Sequence, residues 1–214
     1  MEKLIYFYAR FLGTLLFKFF FHLEVKGREN LADVGSACIV APNHQSYLDP
    51  IVLGLALPIR LKYFAKADIF GIPCLSFLIR HLGAIPIERD IMSSMTLRHG
   101  VKVLKEGNWL VIFPEGTRSR TSRLLEAKQG IGFLHYKSKA PVLPVFLDGP
   151  GRALPVDSKM IKPVKIRVFI GKKIEGSGKD YPSIAREIMD ALGKLQPLRG
   201  RREGLNPSRL DTGK

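Results

Sequence analysis

The chain has few of the residues that build disulfide frameworks or metal centres. It contains only two cysteines among 214 residues, Cys38 and Cys74, and both lie in apolar segments. No disulfide framework is therefore expected, and a reducing compartment is indicated. Cysteines and histidines do not cluster at the spacing of metal ligands. Internal repeats and low-complexity linkers are lacking, and the length fits one domain with a single core.

Acidic residues are scarce relative to basic ones. The chain has 34 Lys and Arg against 19 Asp and Glu, which gives a formal net charge of +15. A charge of this size indicates an acidic partner, and nucleic acid and an anionic bilayer surface are the two natural classes. Nucleic acid is disfavoured because the aromatic residues concentrate in the apolar first segment, away from the basic residues where bases would stack.

The first segment predicts a helix that lies in a membrane interface. Leu4 to Phe21 is mostly apolar and aromatic, but polar residues recur at three- or four-residue steps and form one narrow stripe: Lys3, Tyr6, Arg10, Thr14, Lys18 and His22. A central Arg in a spanning helix costs about 2.5–3.5 kcal/mol, whereas a helix lying flat puts its cations among headgroups. A signal peptide and a core helix are the alternatives. The expected localisation is monotopic, on the cytoplasmic face of a membrane.

Helix-like and strand-like patterns alternate after residue 22. Helical patterns cover about 50–57, 69–80, 91–106, 124–139 and 181–195. Strand patterns cover about 22–27, 37–41, 60–65, 84–88, 109–113, 142–147 and 164–170. This alternation predicts an α/β fold with a mixed, partly parallel sheet flanked by helices. The apolar run Ile69 to Ile79 is either a core helix or a second surface that contacts membrane or acyl chains.

A histidine and an aspartate follow the strand-like segment Ala37 to Ala41. His44 precedes Asp49 by five residues, and Pro50 comes next. Asp caps helices and Pro is favoured in their first turn, so His44 is placed in a strand-to-helix loop, where a turn can bring the carboxylate to the imidazole. A carboxylate on one ring nitrogen leaves the other nitrogen to act as a general base. The alternative is a loop histidine beside a helix cap.

A second charged loop follows the buried-strand pattern Trp109 to Phe113. Gly116 lies between charged residues and allows the backbone to approach a ligand closely. The planar guanidinium of Arg118 fits the oxygens of a phosphate monoester in pairs. Glu115 would repel phosphate, so we expect it to orient Arg118 or to accept a hydrogen bond from an acceptor hydroxyl. A plain charged turn is the alternative.

Four sequence blocks, in the order in which they follow one another along the chain, resemble the glycerolipid acyltransferase family, and within it the 1-acyl-sn-glycerol-3-phosphate acyltransferases. The blocks lie within roughly residues 24 to 175 and are Asn43–Asp49, Gly83–Arg89, Phe113–Arg120 and Pro141–Val145. The resemblance implies that His44 and Asp49 are the catalytic pair. It further implies six substrate-binding residues, the basic ones near the acceptor phosphate: Lys66, Arg89, Glu115, Gly116, Thr117 and Arg118. For Lys66 and Arg89, each taken alone, the alternative is an ordinary solvated surface charge.

The resemblance also implies a reaction and a domain organisation. A fatty acyl group moves from an acyl thioester to the sn-2 hydroxyl of 1-acyl-sn-glycerol-3-phosphate, which gives phosphatidate. No bound cofactor and no metal are expected, and acyl-CoA or acyl-acyl carrier protein serves as co-substrate. Expected partners are lysophosphatidate and an anionic membrane surface. Residues 1–22 form the interface helix, 23–195 the acyltransferase domain and 196–214 a basic disordered tail.

Three alternatives stay open at this point. The acceptor is a different lyso-lipid, such as a lyso-aminolipid, or the protein is a non-catalytic binder of anionic lipid, which leaves His44 and Asp49 unexplained. In the third alternative Ser46 is acylated first and His44 activates it. Direct transfer is favoured over this route because Ser46 is not flanked by the glycines of a nucleophile elbow.

Overall fold

A computed structural model describes residues 2–71, 76, 79–80, 83–87, 93–121, 123–158, 160–175 and 180–197. The α-helices of these residues, α1 to α6, span Glu2–Phe21, Asp49–Ala56, Ser94–Lys105, Gly130–Ser138, Pro150–Ala153 and Tyr181–Leu195. The strands, β1 to β7, span Glu24–Lys26, Cys38–Pro42, Leu61–Lys66, Ala84–Ile87, Trp109–Val111, Val142–Asp148 and Arg167–Ile170. Two 3₁₀ helices cover Arg28–Leu31 and Ala67–Gly71.

The strands form one sheet in the order β1-β7-β6-β2-β5-β3-β4. Strands β6, β2, β5, β3 and β4 are mutually parallel, and β7 is antiparallel to β6. The predicted mixed, partly parallel sheet flanked by helices is therefore confirmed. All five parallel strands point their carboxyl ends to one edge, which is where open α/β sheets bind ligands.

Helices cover both faces of the sheet. Side chains alternate along β2, so that Cys38 and Val40 join the core on the α1 and α2 side while Ile39 and Ala41 join the core under α3, α4 and α6. Every residue of β2 is buried. The continuous apolar sequence of this strand follows from its coverage on both faces, as in other parallel sheets.

Helix α1 packs closely on α2 and ends at a left-handed residue. A Cβ added at Gly13 would lie 3.0 Å from a Leu55 methyl carbon, so the two helices approach tightly there. Phe17 and Phe21 are buried in the core. His22 has φ 46°, and the Leu23 N–H donates to the Phe17 carbonyl over 3.3 Å, so the helix ends at a left-handed residue with one carbonyl of its last turn satisfied.

The exposed side of α1 is apolar, and the predicted polar stripe lies mostly on the packed side. Arg10 and Thr14 are half-buried on the same side as Phe17, whereas Lys18 is exposed. Eight large apolar or aromatic residues are at least half exposed: Phe7, Tyr8, Phe11, Leu12, Leu15, Leu16, Phe19 and Phe20. We call these eight the α1 apolar surface. Among the described residues, no helix is both long enough and apolar enough to cross a membrane.

One predicted helix starts later than expected, one helix was not predicted, and one predicted helix lies partly outside the described residues. The helix predicted to begin at 124 begins at Gly130, because the N–H groups of Leu125 and Lys128 donate to Glu115 and Pro114 and are not available for helical bonds. Helix α5 was not predicted; it is one turn that starts with a proline. Half of the predicted helix 69–80, at 72–75 and 77–78, lies outside the described residues, and its first three residues belong to the 3₁₀ helix Ala67–Gly71.

Candidate active site

Three neighbouring strands carry the predicted site residues at one edge of the sheet. His44 follows β2 by two residues, the loop Glu115 to Arg118 follows β5, and Lys66 is the last residue of β3. These strands are adjacent and parallel in the order β2-β5-β3, so their terminal loops converge. They enclose a cavity of about 290 Å³ whose walls include five of the predicted residues: His44, Lys66, Gly116, Thr117 and Arg118.

The turn between His44 and Asp49 brings the two side chains together. Nδ1 of His44 lies 2.7 Å from Oδ2 of Asp49, which is fully buried. The same oxygen accepts the backbone N–H groups of Gln45 and Ser46 at 2.7 and 2.8 Å. An ionised carboxylate only accepts, so Nδ1 carries the proton and Nε2 is the free basic position. The carboxylate thus accepts from upstream residues and does not cap α2, which corrects the capping role expected from sequence.

The imidazole of His44 is also fixed by packing. Its ring stacks on Phe113 with a centroid distance of 3.8 Å and an interplanar angle of 22°. Asn43, the residue before it, bonds the end of β6: its Nδ2 donates to the Leu147 carbonyl at 3.1 Å, and its Oδ1 accepts the Leu147 N–H at 2.6 Å. The side chain of His44 keeps 18% of its surface exposed, towards the cavity that it lines.

Glu115 joins the two charged loops through backbone hydrogen bonds. One carboxylate oxygen accepts the His44 N–H and the other accepts the Leu125 N–H, both at 3.0 Å. The Ser119 N–H in turn donates to the His44 carbonyl at 2.8 Å. Both backbone polar groups of His44 are therefore held by the loop after β5.

The expectation that Glu115 contacts substrate or orients Arg118 stays a prediction, and the geometry gives its carboxylate other partners. Glu115 is only 2% exposed, both of its oxygens are engaged, and it is not part of the cavity wall. Burial raises the pKa of Glu115 to about 7, against the lowering effect of the two N–H bonds, and the charge of Asp49 raises it further. Its place in the structure is that of a positioning residue for His44.

The aromatic ring of Tyr47 contacts Arg118. The guanidinium carbon lies 3.7 Å from the ring centroid. Nη1 of Arg118 is buried and has no hydrogen-bond partner among the described residues. Both side chains line the cavity. An exposed Tyr47 and a half-buried Arg118 thus stand in the same cavity as His44.

The other predicted residues differ in how the structure places them. Lys66 and Thr117 are exposed at the cavity. Gly116 has φ 69°, a left-handed conformation that favours glycine. The block Pro141–Val145 falls on the start of β6, beside β2. Arg89 lies outside the described residues, so its role stays a prediction.

The Ser46 hydroxyl and several backbone N–H groups around the start of α2 are already hydrogen-bonded within the protein. The Ser46 hydroxyl is buried, donates to the Leu154 carbonyl at 2.7 Å and accepts the Leu48 N–H at 3.1 Å. The backbone N–H groups of residues 45, 46, 48 and 49 are also hydrogen-bonded within the protein. The Ser46 hydroxyl is thus committed away from His44.

Two further observations bear on the chemistry of the molecule. Burial raises the pKa of Cys38 to about 12, so this thiol stays protonated. Within the described ranges, no three His, Cys, Asp or Glu side chains form a group that could hold a metal ion.

Sequence reasoning gave no role to Asn43, Tyr47 or Phe113. All three lie inside the two quoted motifs, next to or within a few residues of His44 or Arg118. Their positions in those motifs were the available signal. Their contacts with Leu147, Arg118 and His44 are tertiary and have no local sequence pattern.

Comparisons with known proteins agree with this geometry. The family model described as Acyltransferase matches residues 22–148. The chain is 33% identical over 182 residues to a chloroplastic 1-acyl-sn-glycerol-3-phosphate acyltransferase of Brassica napus, covering 84% of this chain and 53% of that protein. It is 29% identical over 153 residues to the 1-acyl-sn-glycerol-3-phosphate acyltransferase of Bacillus subtilis, covering 71% of this chain and 73% of that protein.

A solved structure shares the fold. The crystal structure of the 1-acyl-sn-glycerophosphate acyltransferase of Thermotoga maritima matches with a TM-score of 0.79 and 25% identity, covering 94% of this chain and 82% of that one. The chain spans about half the length of the plant relatives that it matches. The family match covers more than half of the 214 residues and includes both charged loops, and on this basis the chain belongs to the acyltransferase family.

Proposed function

We propose that the protein transfers a fatty acyl group from an acyl thioester to the sn-2 hydroxyl of 1-acyl-sn-glycerol-3-phosphate. The product is phosphatidate, a precursor in phospholipid biosynthesis. The observation that carries the proposal is the presence of His44, paired with buried Asp49, and of Arg118 in the walls of one cavity. A general base and a phosphate-binding cation are the two groups that this acceptor requires. The names of the relatives support the same acceptor.

The proposed chemistry is direct transfer with His44 as general base. Nε2 takes the proton of the sn-2 hydroxyl while its oxygen forms a bond to the thioester carbonyl carbon. Asp49 stabilises the imidazolium through the bond to Nδ1, which is 2.7 Å long. The tetrahedral intermediate then collapses, the carbon–sulfur bond breaks, and the imidazolium returns its proton to the departing thiolate. Ser46 takes no covalent part, since its hydroxyl donates to the Leu154 carbonyl.

The acceptor phosphate binds the basic side chains of the cavity. Arg118 has a buried Nη1 with no partner among the described residues, and Lys66 is exposed at the end of the neighbouring strand β3, at the same edge of the sheet. A guanidinium binds two phosphate oxygens in one plane, and an ammonium adds a point charge. Arg89 joins this group by family resemblance. Phosphate bound here leaves the hydroxyl of the neighbouring carbon within the same cavity as His44.

We further propose that α1 holds the protein on an anionic membrane surface, on the cytoplasmic face. The α1 apolar surface is solvent-exposed and extends from Phe7 to Phe20. Exposed apolar area of this extent is favoured in the acyl region, and a net charge of +15 attracts anionic headgroups. In this account residues 1–22 form the interface helix and 23–195 the acyltransferase domain. The basic tail 196–214 lies largely outside the described residues.

An assay of the purified protein on a panel of acceptors tests the proposed function. The panel comprises lysophosphatidate, a zwitterionic lysophospholipid and a lyso-aminolipid, each with acyl-CoA and with acyl-acyl carrier protein. We expect lysophosphatidate to be acylated with the highest kcat/KM, because only it presents a phosphate monoester to Arg118. Equal or better use of a lyso-aminolipid contradicts the assignment of lysophosphatidate as the acceptor. Binding of acceptors without turnover with either donor contradicts the proposal that the protein is an acyltransferase enzyme.

A further inference from the structure

We propose that Tyr47 is a positioning residue for the acceptor phosphate: its ring holds the Arg118 guanidinium in the cavity with its in-plane N–H donors free. The inference deepens the proposed function and rests on it, since it concerns how the same site recognises a phosphate monoester. It assigns a role to a residue between the two members of the catalytic pair. The expected orienting group was Glu115, which the structure places on backbone N–H groups instead.

The contact between the two side chains is close and lies inside the site. The guanidinium carbon is 3.7 Å from the centre of the Tyr47 ring, well within the range of about 6 Å over which a cation is attracted to an aromatic face. Both residues line the cavity of His44. Tyr47 is 56% exposed, so its ring is not a core residue that happens to touch an arginine.

A ring face constrains an arginine differently from a carboxylate. The five N–H donors of a guanidinium lie in its plane, so a stacked ring fixes the plane without engaging the donors. A carboxylate in the same role occupies two of these donors and cancels the positive charge. Nη1 of Arg118 indeed has no hydrogen-bond partner among the described residues, although it is buried. The stack therefore leaves both the fork and the charge for an incoming anion.

Tyr47 also links the phosphate site to the base. It lies three residues after His44 and two before Asp49, in the turn that Asp49 holds through the N–H groups of Gln45 and Ser46. In the acceptor, the phosphate and the attacking hydroxyl sit on neighbouring carbons. A turn that carries the base and also orients the phosphate-binding group fixes the spacing between the two, as positioned catalysis requires.

Substitutions at Tyr47 separate the ring from its hydroxyl. Tyr47→Phe keeps the aromatic face and Tyr47→Leu removes it. With a short-chain, water-soluble lysophosphatidate as acceptor, we expect Tyr47→Leu to raise the half-saturating acceptor concentration by about 3- to 30-fold, the range of a desolvating cation–π contact. The half-saturating concentration of the thioester should change less than twofold. Tyr47→Phe should behave as the parent for both substrates.

Tyr136, which is not part of the cavity wall, provides a control for this substitution. Tyr136 is 40% exposed and its ring lies 4.4 Å from Nζ of Lys139, so Tyr136→Leu removes a similar contact outside the cavity. Tyr136→Leu should have the same half-saturating acceptor concentration as the parent. A Tyr47→Phe variant that loses as much as Tyr47→Leu overturns the proposal, because the hydroxyl would then be the active group.

A double-mutant cycle tests whether Tyr47 acts through Arg118. In an Arg118→Ala background, Tyr47→Leu should have little further effect on acceptor use, whereas a full, additive loss overturns the proposal. The same substitutions at Tyr47 and Arg118 are also combined with His44→Ala, and the binding of short-chain lysophosphatidate to each variant is measured by calorimetry. Binding needs no turnover, so it tests the stack even if the parent fails to acylate lysophosphatidate. Absence of parent activity rejects the proposed function, and Tyr47-independent binding rejects this inference.

Discussion

The backbone N–H of His44 donates to Oε1 of Glu115 over 3.0 Å, although the two residues are 71 positions apart in the chain. The bond joins the loop after β2 to the loop after β5. The Ser119 N–H donates to the His44 carbonyl and closes the connection from the other side. A displacement of either loop therefore moves the imidazole relative to Arg118, and the two proposed functions of the cavity are mechanically coupled.

The raised pKa of Glu115 predicts a pH-dependent contribution to stability. Burial raises this pKa to about 7 from 4.5, so folding binds a proton between these values and stability falls as pH rises from about 4.5 to about 7. We compare urea unfolding of the parent and Glu115→Gln at about pH 5 and pH 8. The stability of the parent relative to the variant should fall by about 2–3 kcal/mol over that interval.

Titratable groups that the parent and Glu115→Gln share contribute equally to the pH dependence of both, so their contributions cancel in this comparison. Glutamine has a single acceptor oxygen, so either the His44 or the Leu125 N–H loses its partner in the variant, which lowers stability at every pH by about 1–3 kcal/mol. A difference between parent and variant that does not change with pH would show that Glu115 titrates normally in the folded protein.

Substitution of Arg118 should weaken acceptor binding selectively. Hydrogen bonds to charged groups are worth about 1.5–3 kcal/mol, so Arg118→Ala should raise the half-saturating concentration of lysophosphatidate by about 10- to 150-fold. Arg118→Lys should recover part of the loss, since it restores the charge without the planar fork. Steady-state kinetics with each substrate varied in turn distinguish the two sites. A loss confined to the thioester donor would reassign the loop after β5 to the donor.

The Ser46→Ala variant should keep most of its activity and lose stability. The hydroxyl is buried, donates to the partly buried Leu154 carbonyl and accepts the buried Leu48 N–H, so its removal leaves the Leu48 N–H without a partner at a cost of about 1–3 kcal/mol and the Leu154 carbonyl at a smaller one. We expect a lower unfolding temperature and a kcat per folded molecule within about threefold of the parent. Detection of an acyl-serine in a quenched reaction by mass spectrometry would establish the covalent route instead.

The α1 apolar surface should carry membrane attachment. Phe11→Ser and Leu15→Ser alter side chains that are 60% and 59% exposed, so the fold should be retained. Each should weaken partitioning to anionic vesicles by about tenfold, because burial of such a side chain is worth about 1.5–3 kcal/mol. Point variants are cleaner than deletion of residues 1–21, which also removes Phe17 and Phe21 from the core.

The control for this experiment is Met95→Ser. Met95 is 62% exposed and begins α3, on the opposite face of the sheet from α1. Vesicle sedimentation should show no change for this variant. Parent-like binding of both α1 variants would place the attachment elsewhere, on the segment Ile69 to Ile79 or on the basic surface.

Local sequence patterns were enough to predict much of the fold. The strand in front of His44, predicted at 37–41, is Cys38–Pro42, and the helix predicted at 181–195 is Tyr181–Leu195. These elements show a buried apolar run or an amphipathic repeat that does not depend on distant residues. The turn that brings Asp49 to His44 is equally local, since five residues and a following proline define it.

Interactions between distant segments were beyond such patterns. Helix α4 begins at Gly130 and not at the predicted position 124, because the Leu125 N–H donates to Glu115, ten positions earlier in the chain. The polar stripe of α1 could be predicted from the spacing of its residues. Its half-buried position could not, because that position depends on the packing of α2 against Gly13. The contact of Tyr47 with Arg118 and the backbone partners of Glu115 were not predicted for the same reason: contacts between loops depend on the order of strands in the sheet, which the sequence does not display.

The most direct test of the account is acyl transfer to lysophosphatidate by His44→Ala beside the parent, with vesicle binding and circular dichroism measured on the same preparations. Loss of the general base should lower kcat/KM by about 10²- to 10⁴-fold. Fold and membrane association should be retained, because His44 belongs to neither buried core cluster and lies outside the α1 apolar surface. Activity within threefold of the parent, in a folded and vesicle-bound variant, would contradict the assignment of His44 as the base.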